Sequence, residues 1–140
     1  MKKSKLLIEY EYDFELMGIR TSAKGYRLAW EINSKLGLHL VRQPDMSVGF
    51  KKGEEKKFSF YAHETPINRL KLFKNKPADA DHGKYFLVPE FPHFDFIILI
   101  QMDDATQRDS LVSQLKQIPS IELVSTIPVK GLKSKSNFIF

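Results

Sequence analysis

The run FDFIILIQM over residues 94–102 is the most hydrophobic stretch of the chain, and its apolar residues are continuous from Phe96 to Ile100 instead of alternating with polar ones. A strand with one solvated face alternates, whereas a continuous run marks a strand covered on both faces. Residues 94–102 are therefore expected at the centre of a sheet. The run is far shorter than the roughly 20 residues a membrane helix needs. The opening MKKSK leads into only Leu6, Leu7 and Ile8 before Glu9, so the expectation is a soluble, cytoplasmic protein with no signal peptide and no span. With 140 residues and no cysteine, the chain is expected to form one domain. Disulfides, thiolate metal sites and cysteine nucleophiles are excluded.

Around the central run the period changes several times. Residues 5–12 alternate imperfectly and predict a strand that buries Leu6, Ile8, Tyr10 and Tyr12, while residues 14–19 are apolar but contain Gly18 and fit a strand or an irregular turn. From Ser22, a candidate N-cap, to Gly37, just past the end, the pattern is helical. Leu28, Ala29, Ile32 and Leu36 share one sector of that helix; Lys24, Arg27, Glu31 and Lys35 share another. Tyr26, Trp30 and Asn33 lie beyond the usual apolar stripe. Either the helix is buried over more than half its circumference, or Tyr26, Trp30 and Asn33 form a partner face.

Residues 38–42 have strand character that Pro44-Asp45 is expected to end, and residues 47–50 fit a short strand. A hairpin turn at residues 53–56 leads into a strand at 57–64, with Phe58, Phe60 and Ala62 on one face. Residues 67–74 alternate again, Leu70 and Leu72 against a mostly basic face. Residues 76–84 read as a surface loop and 85–88 as a short strand stopped by Pro89. After the central run, Asp104 with Gln107 forms a capping box for a second helix, with Leu111, Leu115 and Ile118 inward and Pro119 stopping it. Residues 121–129 read as a strand that Pro128 confines to an edge or a strand end, and the tail closes on the apolar cluster Phe138-Ile139-Phe140. This order predicts an α+β fold in a single domain, 1–140. It has one antiparallel or mixed sheet of about six to eight strands with the two main helices on one face, ferredoxin-like elements with added strands.

Val88-Pro89-Glu90-Phe91-Pro92-His93-Phe94-Asp95-Phe96 resembles the signature after which the IPExxxVDY family of uncharacterised bacterial proteins is named. Pro89, Glu90 and Asp95 match it outright; Val88, Phe94 and Phe96 replace Ile, Val and Tyr conservatively. The resemblance extends to Tyr26-Arg27-Leu28-Ala29-Trp30 with Asn33, and to Leu132-Lys133-Ser134-Lys135 followed by Asn137. It implies no reaction, cofactor or substrate. On physical grounds Pro89 ends a strand and Pro92 stiffens the return into the central run. Glu90 and Asp95, at the two ends of that loop, either accept backbone hydrogen bonds and specify the fold, or form an acid/base pair. No nucleophile, metal set or oxyanion site stands near them in sequence, which favours the structural role.

Charge is uneven. Residues 51–76 hold eight Lys and Arg against three acids, residues 130–140 hold three lysines and no acid, and residues 77–129 hold eight acids against three bases. Such clusters are either a solvated surface or a footprint for a polyanion. The segment KKFSFYAH at residues 56–63 partly matches an RNA-recognition strand, and the residues that would serve it are Lys56, Lys57, Phe58, Phe60, Arg69, Lys71, Lys74, Lys133 and Lys135. The competing reading turns Phe58 and Phe60 into the core under the helices. His39, His63, His82 and His93 show no metal-ligand spacing, and no phosphate-cradling glycine loop or serine elbow is present. The sequence thus predicts a non-enzymatic interaction module, with a protein partner or a homo-oligomer and no cofactor, metal, membrane or small-molecule substrate. Single-stranded RNA or another polyanion is the alternative partner.

Overall fold

A computed structural model of the chain describes residues 14–50, 53–77 and 85–138. The strand expected at residues 5–12, most of the 76–84 loop, and Ile139-Phe140 lie outside the described residues. The elements in order are β1 (Glu15–Thr21), α1 (Gly25–Leu36), β2 (Val41–Gly49), β3 (Glu55–Glu64), β4 (Asn68–Lys74), β5 (Phe96–Met102), α2 (Ala105–Leu115), β6 (Ile121–Ile127) and a 3-10 helix (Lys133–Phe138). Among the described residues, six strands form one sheet in the order β2-β3-β4-β5-β1-β6, each antiparallel to its neighbours. The expected α+β architecture is present. The β6-β1-β5-β4 part, with helices after β1 and β5, is a ferredoxin-like core, and β2 and β3 extend it on one side. Among the described residues no helix is long and apolar enough to cross a membrane.

Alternation along each strand divides the buried side chains between two faces. Met17, Ile19, Leu70, Leu72, Ile98 and Ile100 meet Leu28, Ala29 and Ile32 of α1 and Leu111 and Leu115 of α2, so both helices do lie on one face. The opposite face carries Leu16, Phe58, Phe73, Ile97 and Leu99. It is covered by Leu87, Val88 and Phe94 from the β4–β5 connection and by Leu132 and Phe138 from the C-terminal segment. Phe138 meets Phe73 edge-on at 5.2 Å between centroids, and Phe60 stacks on Phe73 at 5.2 Å. The double cover demanded by β5 is thus helical on one side and irregular chain on the other. Phe58 and Phe60 point into this second layer, away from the helices, which corrects the expectation that they would lie beneath them.

Local chemistry accounts for the other departures. Ser22 does not cap α1. The Thr21 Oγ accepts from the Ala23 N–H at 3.0 Å, which turns the chain early, and Lys24 occupies the N-cap without a side-chain bond. Gly37 closes α1 in the left-handed conformation at φ 69°, as its position predicts. Pro44 does not end β2: the register shifts between Gln43 and Met46, and a bulge on an outer strand accommodates the missing donor. Residues 85–88 form no strand, because the Leu87 and Val88 N–H groups are taken by Asn75 instead of by a neighbouring strand. Asp104 caps α2 by accepting from the Thr106 and Gln107 N–H groups.

Gly18 is the one strand glycine whose lack of a side chain the packing requires. A Cβ there would stand 2.2 Å from the Phe94 ring, which lies flat against the β1 backbone. Gly18→Ala is expected to cost about 2–3 kcal/mol by overpacking, and Gly18→Ala/Phe94→Val to lose clearly less than the sum of the two single losses, because the smaller side chain relieves the clash. Urea unfolding of the single and double variants checks this; strictly additive losses would contradict it.

Candidate functional site

Asn75 follows the last residue of β4 and has no exposed surface. Its N–H donates to the Asp95 carbonyl at 3.0 Å, and its carbonyl accepts from the Leu87 N–H at 2.9 Å. Its side-chain oxygen accepts from the Val88 N–H at 2.8 Å, and its side-chain amide donates to the Phe91 and Phe94 carbonyls at 3.2 and 2.9 Å. One side chain therefore satisfies three backbone groups of an irregular loop that would otherwise be buried without partners. Sequence reasoning missed Asn75, since an asparagine at a strand end reads as an ordinary turn residue.

The motif is built on this loop. Val88 and Phe94 are buried in the second layer and Phe96 in the helical one, while Pro89 is exposed at the turn. The Asp95 N–H donates to the Ile19 carbonyl at 2.8 Å, and its carboxylate accepts from the Thr21 N–H at 2.9 Å, where the β1–β6 register shifts. At the other end of the loop, the Glu90 carboxylate accepts from the Ser134 N–H at 3.0 Å and the Ser134 Oγ–H at 2.7 Å. Asn137 adds a bond from its side-chain amide to the Leu87 carbonyl at 2.9 Å. Partial burial pushes the Glu90 carboxyl up. Hydrogen bonds from the Ser134 hydroxyl and from the N–H groups of Glu90, Ser134 and Lys133 outweigh that and hold it below its ordinary value of 4.5. Both carboxylates are thus engaged in tying the motif loop, one to β1 and the other to the C-terminal 3-10 helix.

A cavity of about 450 Å³ opens beside this second tie, between Val48 and Phe50 of the β2 end, Pro89 and Glu90, and Lys133 and Asn137. Phe50 also meets Tyr85 at 5.0 Å, with the Lys56 ammonium 5.0 Å from the Tyr85 ring. A second cavity of about 600 Å³ lies farther along the same strands, with Val41, Phe60 and Ala62 beside His63, Glu64 and Lys71. The His39 N–H donates to His63 Nδ1 at 3.1 Å, the His93 ring meets Phe94 at 4.3 Å, tilted by 40°, and His82 is outside the described residues. No three His, Cys, Asp or Glu among the described residues stand close enough to hold a metal ion.

The basic residues singled out in the sequence divide between the two sides of the sheet. Lys56, Arg69 and Lys71 share the face of Phe58 and Phe60, whereas Lys57 and Lys74 lie on the helical face. Lys71 pairs with Glu64 at 3.7 Å. Phe58 is completely buried, which leaves no ring face there for a base. Lys133 is exposed at the smaller cavity, and the Lys135 side chain lies outside the described residues.

On α1, Tyr26 is 68% exposed and Trp30 61% exposed, four residues apart on the outer surface. The Arg27 guanidinium lies 5.7 Å from the Trp30 ring centroid and pairs with Glu31 at 3.1 Å. Asn33 is half-buried and turned inward: its amide accepts from the Leu40 N–H at 2.7 Å and donates to the Leu40 carbonyl at 3.2 Å, clamping the end of α1 to the start of β2. Of the two alternatives for this helix, exposure of Tyr26 and Trp30 is the one observed. Compared with family models and with curated proteins, the chain matches none.

Asn75→Asp keeps the shape but loses both donated bonds and places a charge against two carbonyl oxygens. It is expected to lower stability by about 3 kcal/mol in urea unfolding; an unchanged midpoint would contradict the role given to Asn75. Glu90→Gln cannot accept both Ser134 donors with one carboxylate and is expected to cost about 1 kcal/mol at neutral pH, the rim position being partly solvated. Because the Glu90 carboxyl lies below 4.5 in the folded chain, its contribution is complete above that value and is lost as pH falls through the lower folded value. The gap between wild type and Glu90→Gln in thermal melts therefore closes on acidification below about pH 4.5; a gap that widens would show the opposite sign.

Proposed function

We propose that the chain is a non-enzymatic, cytoplasmic interaction module that docks a protein partner through the outer face of α1. The exposure of Tyr26 and Trp30, one turn apart with Arg27 between them in sequence, carries this reading. Tyr, Trp and Arg dominate the energetics of protein interfaces, because each brings a large, stiff contact area with a polar tip. The face rests on a helix held at its end by the Asn33–Leu40 clamp, so little ordering is left for binding to accomplish.

The motif Val88-Pro89-Glu90 with Phe94-Asp95-Phe96 supports placing the chain with the IPExxxVDY proteins, and its residues here serve the fold. Glu90 and Asp95 accept structural hydrogen bonds at both ends of the loop. A carboxyl held below its ordinary value is a poor proton donor at neutral pH. The polyanion reading ranks second, since the burial of Phe58 and the division of the lysines between two faces leave no continuous strip of cations and stacking rings among the described residues.

The test is affinity capture with tagged wild-type protein and with Tyr26→Ala/Trp30→Ala, both checked for equal thermal stability. The expected result is a polypeptide retained by the wild type and lost with the double variant. An identical retention pattern would overturn the reading. So would a nuclease-sensitive ligand released steeply by salt, which would favour the polyanion.

A further inference from the structure

The helical layer is divided in charge as well as in sequence. On α1, Lys24, Arg27 and Lys35 are exposed, while the one acid, Glu31, is half-buried and bonded to Arg27 and to the Ser120 hydroxyl. At and along α2, Asp103, Asp104 and Asp109 are exposed. The cation on the same helix, Arg108, is turned inward, where it pairs with Glu15 at 3.0 Å and donates to the Met102 carbonyl at 2.9 Å. A cationic strip bearing two exposed aromatics thus lies beside an anionic strip on the same outer surface, with Lys116 exposed at the far end of the second.

We infer that the partner of this surface is a second copy of the chain, docked helical layer to helical layer so that α1 of each copy lies over α2 of the other. This rests on the reading of α1 as a docking face and names its occupant. A twofold axis between the helices and running along them makes that exchange. It brings Arg27 and Lys35 of each α1 toward Asp109, Asp103 and Asp104 of the other copy's α2 and covers Tyr26 and Trp30, while Lys24 falls toward Lys116 and adds no attraction. Because β1 and β5 are antiparallel neighbours, the helices that follow them run in opposite directions. The axis then sets Lys35 of one copy near the start of α2 in the other, where Asp103 and Asp104 stand. The outer strand edges offer less for self-pairing. β2 carries Pro44 and a bulge, both of which blunt an edge, and its opposite charges, Arg42 and Asp45, already pair with each other within the strand.

The chain has one tryptophan, so Trp30 emission reports the contact directly. Sedimentation velocity and Trp30 fluorescence across a dilution series into the micromolar range are expected to show a monomer–dimer equilibrium, with emission shifting to the blue as dimer forms. Trp30→Ala is expected to weaken association at least tenfold by sedimentation. Two charge variants test the partner's identity. Arg27→Glu/Lys35→Glu and Asp103→Lys/Asp109→Lys are each expected to be monomeric alone and to form a heterodimer when mixed, since mixing restores opposite charges at the four reversed positions. Circular dichroism and melting confirm that each variant is folded. If either does not fold, the milder Arg27→Gln and Asp109→Asn are expected to weaken association and to reduce its salt dependence.

A wild type that stays monomeric throughout the series overturns the inference, as does a dimer indifferent to Trp30→Ala and to charge reversal. If the wild type is monomeric but still captures a different polypeptide through Tyr26 and Trp30, self-pairing is discarded while α1 stands as a docking face. Loss of both results discards both.

Discussion

The Asn75 side chain is the contact on which the rest of the structure depends. β5 is apolar on both faces and lies between β4 and β1, so the sheet needs two covering layers. Helices supply the first at little cost, because their backbone groups are satisfied internally. The second is made of irregular chain, whose N–H and C=O groups need partners wherever water is excluded. Asn75 takes three of them with its side chain and two with its backbone. Glu90 and Asn137 then join the C-terminal segment to the same loop. Among the described residues no buried side-chain nitrogen or oxygen lacks a hydrogen-bond partner.

This arrangement gives the motif a physical meaning. Asp95 locks the loop to β1, Glu90 locks it to the 3-10 helix, and Phe94 seals it against the bare backbone of Gly18. Polar residues of this kind contribute by specifying one arrangement of a loop that hydrophobic burial alone would leave free to shift. With the motif committed to the fold, the residues that stand out toward solvent are elsewhere. Tyr26 and Trp30 are large, exposed and carried on a regular element with its own anchorage, the combination on which the proposed docking face rests.

Much of the architecture was legible in the sequence because periodicity reports burial. The continuous apolar run placed β5 in the sheet interior. Leu28, Ala29 and Ile32 gave the inner face of α1 and Leu111 and Leu115 that of α2, although α2 stops at Leu115, short of Pro119, and Ile118 is buried beyond its end. Pro128, expected at an edge or a strand end, follows the last residue of the outer strand β6. Three things were not legible, each because the deciding interaction joins residues far apart in the chain. The second covering layer has no period, being assembled from residues 87–94 and 129–138 by hydrogen bonds to Asn75 and Glu90. Pro44 reads locally as a strand terminator, and only an outer position with a bulge lets β2 pass through it. The direction of Phe58 and Phe60 depends on which side of the sheet the helices occupy, which alternation along one strand does not encode. The aromatic border of α1 was visible in the sequence, but whether it is exposed depends on what packs above it.

If Asn75 makes the β4–β5 connection part of the core, that connection opens only when the whole domain does. Native-state hydrogen exchange measures this at the Leu87, Val88 and Asp95 amides, whose acceptors are the Asn75 carbonyl, the Asn75 side chain and the Ile19 carbonyl. These amides are expected to exchange with the same free energy and the same denaturant dependence as Ile98 and Ile100 of β5. Exchange of Leu87 and Val88 through a local opening, independent of denaturant and well below the global stability, would contradict it.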